Sequence, residues 1–194
     1  MIKKDDVQTL RLFVAIGLPQ TLGLQINEQV QHWQKVWPFQ KWVHPADYHL
    51  TLKFLGATSP ARLSPLKQVL NAAVKGIKPF SLRLGGLGYF GETRRPRILW
   101  LGVEGELEQL RQLHQRVETH LVELGYPVEK RNFRPHLTLA RNYKGKNRFE
   151  FNQSGWPERF NGELSWRVEE LILFQSLLGQ NPMYRIMERF PLNG

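Results

Sequence analysis

Most elements of the chain can be predicted from the spacing of its apolar residues. Apolar residues that run together or alternate with polar ones predict strands, and these fall at 10–17, 49–56, 80–87, 98–103, 136–142, 168–174 and 184–190. Apolar residues three or four positions apart predict helices, and these fall at 22–37, 63–77 and 107–124. Gly125 stands where a left-handed C-terminal cap would end the third helix. A turn near 179–182 would join the last two strands.

The tetrapeptide His-Leu-Thr-Leu occurs twice, at 49–52 and at 136–139, and each copy lies in a predicted strand. Side chains two positions apart on a strand share a face. Each histidine therefore lies beside its threonine, and the leucines point the other way. A strand–helix–strand order surrounds both copies, over 10–56 and 97–142, so two similar halves can pack about a pseudo-twofold axis. No low-complexity linker separates the halves, and we expect one bilobal domain over residues 1–194.

Length and composition exclude several classes of protein. With 194 residues and 41% hydrophobic content, the chain can bury a sizeable core. The absence of cysteine excludes disulfides, thiolate nucleophiles and zinc–sulfur sites. The N-terminus lacks the apolar stretch of a signal peptide, and no apolar run is long enough to span a bilayer. We therefore expect a cytoplasmic protein that does not enter a membrane.

The formal net charge of +10 favours polyanionic partners. The charge is uneven: the stretch 129–148 has seven cations against one acid and contains the second tetrapeptide, and a smaller cluster lies at 94–97. The seven are Lys130, Arg131, Arg134, Arg141, Lys144, Lys146 and Arg148. A solvated basic loop would have the same composition. However, the stretch 129–148 surrounds a candidate catalytic strand, and this position favours an anion site.

Two histidines with two threonines suit chemistry at a phosphodiester. Histidine exchanges protons near neutral pH, so one imidazole can take a proton from water while the other protonates the leaving oxygen. Each such transfer contributes about 10²–10⁴-fold. Threonine hydroxyls can donate to the non-bridging oxygens as these gain charge. A single His-x-Thr is usually an ordinary polar face, but its duplication in matching halves favours catalysis.

The scheme requires no metal. His44, Asp47 and His49 might suggest metal ligands, but their spacing matches no metal-binding motif. His44, which precedes a proline, is interpreted as a turn residue.

Phe54 and Arg141 each stand five residues after a motif histidine. Strict alternation would place both on the face opposite the histidines, whereas a bulge or twist would bring them to the cleft. An aromatic ring and a guanidinium there can sandwich a nucleobase. The alternative is a core position for Phe54 and a surface position for Arg141.

At these residues the chain resembles the two-histidine phosphoesterase superfamily, whose mark is a tandem His-x-Thr/Ser-x pair. The segments HLTLKFLG at 49–56, RPRILWLGV at 95–103 and FRPHLTLAR at 133–141 resemble its RNA 2′,3′-cyclic phosphodiesterase branch, formerly called 2′-5′ RNA ligase. The resemblance implies an α+β fold with two pseudo-symmetric lobes, whose antiparallel sheets are flanked by helices and enclose a central cleft. It also implies metal-independent hydrolysis of RNA 2′,3′-cyclic phosphate ends to 2′-phosphate.

The resemblance further implies roles for single residues. His49 would protonate the departing 3′ oxygen and His136 would activate water, while Thr51, Thr138 and Arg141 would hold the phosphate. The symmetric motifs do not themselves say which histidine is the acid, and the roles exchange in the reverse, ligating direction.

Two other functions fit the same residues. One is non-catalytic binding of RNA ends, and the other is phosphodiesterase activity on small nucleotide cyclic phosphates. The expected partner is RNA with a 2′,3′-cyclic phosphate terminus, bound by a monomer without a cofactor.

Overall fold

The computed structural model describes residues 9–150 and 164–194, which form an α+β fold. The α-helices within these two ranges are α1 (Gln20–Val36), α2 (Leu63–Val74) and α3 (Leu107–Val122). The strands are β1 (Leu10–Gly17), β2 (Phe39–Trp42), β3 (His49–Thr58), β4 (Phe80–Glu92), β5 (Arg95–Gly105), β6 (His136–Tyr143), β7 (Ser165–Val168), β8 (Glu170–Ser176) and β9 (Tyr184–Pro191).

The predicted elements are present, with two differences. β2 has only four residues, which is too short to show a periodic pattern, and it was not predicted. The strand predicted at 168–174 is β8, and the short β7 before it, which pairs with β4, was not predicted either. The predicted cap of α3 is confirmed: Gly125 has φ 77°, and the next amide, at Tyr126, donates to the Leu121 carbonyl at 3.1 Å.

The strands form one antiparallel sheet in the order β7-β4-β5-β6-β3-β1-β8-β9, and β2 pairs with β6. The order divides into two groups of four, in which β3 and β6 are the innermost strands and adjoin each other. Each motif strand has the first strand of its own repeat as its outer neighbour, β1 for β3 and β5 for β6. The predicted pseudo-symmetric halves are therefore joined in a continuous sheet.

The motif leucines anchor this sheet to the main core. Leu50, Leu137 and Leu139 are fully buried and Leu52 nearly so, in one cluster with the apolar faces of the helices. The motif histidines and threonines alternate with them and are only half-buried, because their face of the sheet is left open. None of the helices within residues 9–150 and 164–194 is long and apolar enough to cross a membrane.

Candidate active site

The two tetrapeptides meet where the halves of the sheet join. β3 and β6 are antiparallel, and Leu50 pairs with Leu137. His49 and Thr51 flank Leu50, and His136 and Thr138 flank Leu137, on the open face of the sheet. His136 lies close enough to His49 to lower its pKa. The structure thus brings all four predicted polar residues together around the leucine pair.

A bulge interrupts β3 directly after its histidine and threonine. Val14 of β1 pairs with Lys53, and Ala15 pairs with Thr51, so Leu52 is an extra residue in the ladder. An extra residue leaves two consecutive side chains on one face and reverses the alternation beyond it.

β6 contains the equivalent bulge. Leu99 of β5 pairs with Ala140, and Trp100 pairs with Thr138, so Leu139 is the extra residue. The two halves therefore share the side-chain pattern of the motif and also the backbone irregularity that follows it.

The bulges bring Phe54 and Arg141 onto the open face with the histidines, as expected if the strands were irregular there. The Phe54 side chain is 69% exposed, and its ring centroid lies 6.0 Å from that of Phe13, which itself lies 4.9 Å from His49. Arg141 is half-buried and lies close enough to both motif histidines to lower the pKa of each. A core position for Phe54 is excluded by its exposure.

Both imidazoles are oriented by a backbone carbonyl two residues earlier in the chain. His49 Nδ1 lies 2.7 Å from the Asp47 carbonyl oxygen, and His136 Nδ1 lies 2.7 Å from the Arg134 carbonyl oxygen. A carbonyl oxygen only accepts hydrogen bonds, so Nδ1 carries the proton in each ring. Nε2 is then the nitrogen that can exchange a proton in the cleft. His49 Nε2 lies 2.9 Å from the Thr51 hydroxyl oxygen.

Burial lowers the pKa of both histidines below the usual 6.5. For His49 it lowers the pKa to about 4, against the opposing effect of the Asp47 carbonyl and with help from the positive charge of Arg141. Burial also lowers the pKa of His136. The hydrogen bond to the Arg134 carbonyl opposes this decrease, and the positive charge of Arg141 adds to it. Both imidazoles are therefore neutral at neutral pH when the cleft holds no anion.

Asp47 connects the first motif to the β8–β9 hairpin. Its buried carboxylate accepts hydrogen bonds from the backbone amides of Met183, at 2.7 Å, and Tyr184, at 3.0 Å. The Tyr184 ring in turn meets His49 edge-on, with centroids 5.0 Å apart and an interplanar angle of 90°. Asp47 thus orients His49 through its backbone carbonyl. Through its carboxylate it also positions Tyr184, whose ring packs against His49.

Tyr184 also reaches Arg141, which belongs to the other half. Burial raises the pKa of the Tyr184 hydroxyl, and the positive charge of Arg141 opposes that rise. Sequence reasoning missed Tyr184, which gives no signal beyond its place at the start of a strand. The sequence-based interpretation considered Asp47 only as a metal ligand. The signal that could have revealed its other role is a carboxylate two residues before the motif histidine.

The aromatic side chains that pack against His136 come from the β4–β5 hairpin. The Phe90 ring meets His136 edge-on, with centroids 4.9 Å apart, and the Trp100 ring lies at 6.2 Å. The indole lies across Gly88 of the neighbouring strand, where a Cβ atom would come within 2.3 Å of it. A glycine is required there, because any side chain would displace the tryptophan.

Behind the sheet, a buried ion pair joins the first motif strand to the segment leading into the second. Lys53 Nζ lies 2.8 Å from Glu118 Oε2, and both side chains are less than a tenth exposed. Lys53 also donates to the Pro127 carbonyl, and Glu118 accepts from the Glu129 amide at 3.0 Å. Lys53 points to this side because the bulge has reversed the alternation.

Within the described residues, no three His, Asp or Glu side chains come together as metal ligands would. His44 Nδ1 instead accepts a hydrogen bond from the Ala46 amide at 3.2 Å, at the start of a short 3-10 turn, in agreement with its interpretation as a turn residue.

Comparison with known proteins identifies relatives over nearly the whole chain. Residues 23–180 match the model of the 2′-5′ RNA ligase superfamily. The RNA 2′,3′-cyclic phosphodiesterase of Bacillus subtilis is 34% identical over 93% of this chain and 96% of its own. That of Methanothermobacter thermautotrophicus is 33% identical over 94% of this chain and 99% of its own. The crystal structure of E. coli LigT complexed with 3′-AMP is 27% identical, with a TM-score of 0.76, over 96% of this chain and 100% of that one.

Proposed function

The chain belongs to the 2′-5′ RNA ligase superfamily, and we propose that it hydrolyses RNA 2′,3′-cyclic phosphate ends to 2′-phosphate ends. One observation carries the proposal: two imidazoles, each fixed through Nδ1 by a carbonyl at 2.7 Å, offer Nε2 to one face where adjoining strands meet. The reaction needs an acid and a base on opposite sides of one phosphorus atom. Two His/Thr pairs, one on each side of the junction between β3 and β6, suit that requirement.

The reaction divides into two proton transfers. His136, neutral at Nε2, takes a proton from the water that attacks phosphorus, as the P–O3′ bond breaks. His49, protonated at Nε2, gives its proton to the departing O3′. The products are a 2′-phosphate and a free 3′ hydroxyl, and the two histidines have exchanged protonation states, which solvent restores.

The low pKa of His49 makes this assignment depend on the substrate. An imidazole with a pKa of about 4 is neutral at neutral pH in the empty cleft, with its single proton on Nδ1 and none on Nε2. The cyclic phosphate is an anion, and an opposite charge within a few ångströms favours the charged form of a histidine. His49 therefore acquires its proton together with the substrate, which ties acid catalysis to an occupied site.

Thr51, Thr138 and Arg141 are assigned to the phosphate oxygens. The threonine hydroxyls lie on the open face beside the histidines, and the Arg141 guanidinium is near both. Donors fixed at the place where charge develops stabilise the transition state without reorganising. Phe54, with its exposed ring, is assigned to stacking on the terminal nucleobase.

A direct test uses an oligoribonucleotide ending in a 2′,3′-cyclic phosphate, incubated with the protein in the presence of EDTA. Release of a 2′-phosphate, distinguished from a 3′-phosphate by phosphorus NMR, supports the proposal and its metal independence. Tight binding without turnover at any pH would instead establish the chain as a binder of RNA ends. The same assay run towards ligation, with a 5′-hydroxyl acceptor in excess, measures the reverse reaction.

The acid and base can be separated with a substrate in which sulfur replaces O3′. A thiolate leaves without being protonated, so loss of the acid matters little for this substrate. The His49→Ala variant should regain most of its activity on it, whereas His136→Ala should not. Rescue of the His136 variant instead would reverse the two roles.

The proposal extends to the form in which the protein acts. We take residues 1–194 as one catalytic domain that works as a monomer in the cytoplasm. Light scattering at assay concentration and fractionation of the source cells test these two points.

A further inference from the structure

The structure regroups the basic residues of the sequence into a patch beside the second half of the site. The tip of the β4–β5 hairpin brings Arg94, Arg95 and Arg97 against the segment that follows β6. The Phe149 amide donates to the Arg94 carbonyl at 3.1 Å and holds the two segments together. We call this surface the hairpin patch and define it as Arg94, Arg95, Arg97, Lys146 and Arg148.

The hairpin patch is concave and strongly positive. Two adjoining hollows share Arg95, and together they are lined by the five cations, Gly91, Asn147 and a single acid, Glu92. Within residues 9–150 and 164–194, none of the five cations forms an ion pair. No acid among the described residues neutralises their charges, which favours binding of an external anion.

Some cations elsewhere on the protein are paired with acids. Near the β8–β9 hairpin, Lys67 pairs with Glu188 at 2.5 Å and Arg189 pairs with Glu170. In the stretch 129–148, which composition marked as one basic region, Arg131 is paired with Glu129 at 3.2 Å. Lys146 and Arg148 instead line the same hollow as Arg94 and Arg95, so their charges belong with the hairpin arginines.

The patch is continuous with the site. Phe90, which packs against His136, lies on the same hairpin, and Ile98 of β5 pairs with Arg141. Arg95 precedes Ile98 by three residues, so it lies about 10 Å further along the strand at roughly 3.4 Å per residue. A chain leaving the cleft on the His136 side would reach the patch within a short distance.

We propose that the hairpin patch binds the backbone phosphates of the RNA on the 5′ side of its cyclic end. The inference rests on the proposed function, because it places the cyclic phosphate between the histidines. Single-stranded RNA carries a negative charge at every nucleotide, and unpaired cations in a groove beside a catalytic site bind such a chain without regard to sequence. The patch therefore makes an oligonucleotide a better substrate than a cyclic mononucleotide.

The test compares two substrates and two charge-matched variants. The substrates are a 2′,3′-cyclic mononucleotide and an octanucleotide ending in the same cyclic nucleotide. The patch variant is Arg95→Gln, Arg97→Gln and Arg148→Gln. The control is Lys75→Gln, Lys78→Gln and Arg111→Gln, which removes equal charge from exposed positions on or beside α2 and α3, the helices that cover the leucine face.

For the octanucleotide, kcat/KM of the patch variant should fall by roughly tenfold at low salt. The slope of log kcat/KM against log salt should become shallower by about two, at about 0.7 per lost phosphate contact on a single strand. For the mononucleotide, kcat/KM should not change, and the control should match the parent protein on both. Equal loss on both substrates, no loss on either, or equal loss in patch and control variants would overturn the inference.

Failure of the proposed function would be seen separately, as a parent protein that turns over neither substrate. The patch is then judged by binding alone, from the fluorescence anisotropy of a labelled octanucleotide ending in a 2′-phosphate. Weaker binding by the patch variant than by the control supports the RNA surface, and equal binding overturns it.

Discussion

The two halves of the site are alike in their strands and different in what surrounds them. Both have a histidine held by a carbonyl at 2.7 Å and a bulge after the motif threonine. His49, however, packs against Tyr184, whose backbone amide donates to the buried Asp47 carboxylate. His136 instead packs against Phe90 and Trp100. The repeated backbone supplies paired proton carriers, and the surrounding side chains give them unequal neighbours.

Removing either imidazole is the strongest way to test the equivalence of the halves. His49→Ala and His136→Ala should each lower kcat on the all-oxygen substrate by about 10²–10⁴-fold, because each loses one proton transfer. Both rings lie on the open face, so the melting temperature should stay near that of the parent protein. Near-parental turnover by either variant would contradict the paired mechanism.

Removing the hydroxyls of the motif threonines is a second test of the equivalence of the halves. Thr51→Val and Thr138→Val keep the shape of the side chain and remove the hydroxyl, and each should lower kcat by about 10²–10³-fold. Thr51 also contacts His49 Nε2 at 2.9 Å, so only its variant should shift the pH profile as well. Identical profiles for the two variants would show that this contact has no role in catalysis.

Asp47 and Arg134 provide a matched pair, since both orient a histidine through the backbone but only Asp47 uses its side chain to position an aromatic neighbour of that histidine. Asp47→Ala should lower kcat/KM by about 10–100-fold through misplacement of Tyr184 and His49. It should also destabilise the fold by about 2–3 kcal/mol, as expected for lost hydrogen bonds to a charged group. Arg134→Ala, assayed on the mononucleotide, should leave both quantities unchanged, and an equal loss would contradict a special role for the Asp47 carboxylate.

The smallest expected effect is a difference between two pH profiles. The profile of kcat/KM reports the free protein, in which burial lowers the pKa of both histidines, so its optimum should lie below pH 6.5. The profile of kcat reports the complex, in which the phosphate anion raises both values, so its optimum should lie higher. Coincident optima would show that the anion does not tune the pair.

Much of this arrangement is predictable from the sequence because it depends on short-range periodicity. Alternation in HLTL assigns His49 and Thr51 to one face and the leucines to the other, and the structure agrees. The cap at Gly125 follows from the need for a left-handed residue after α3.

The remainder depends on contacts between residues distant in the chain. Nothing local tells that the Asp47 carboxylate finds amides at 183 and 184, or that Lys53 is buried against Glu118. The bulges were expected only as a condition for Phe54 and Arg141 to reach the cleft, because a bulge is seen in the register of two strands and not in the sequence of one.

The junction between the halves has a mechanical consequence. β3 and β6 share one backbone pair, Leu50 with Leu137, and β2 occupies the rest of that edge of β6. Long ladders join each motif strand to its outer neighbour, so backbone hydrogen bonds fix each histidine firmly within its own half. The spacing between the two imidazoles is instead set by the packing of the leucines in the shared core. A substitution at Leu50 or Leu137 would therefore change the distance between the acid and the base without touching either ring.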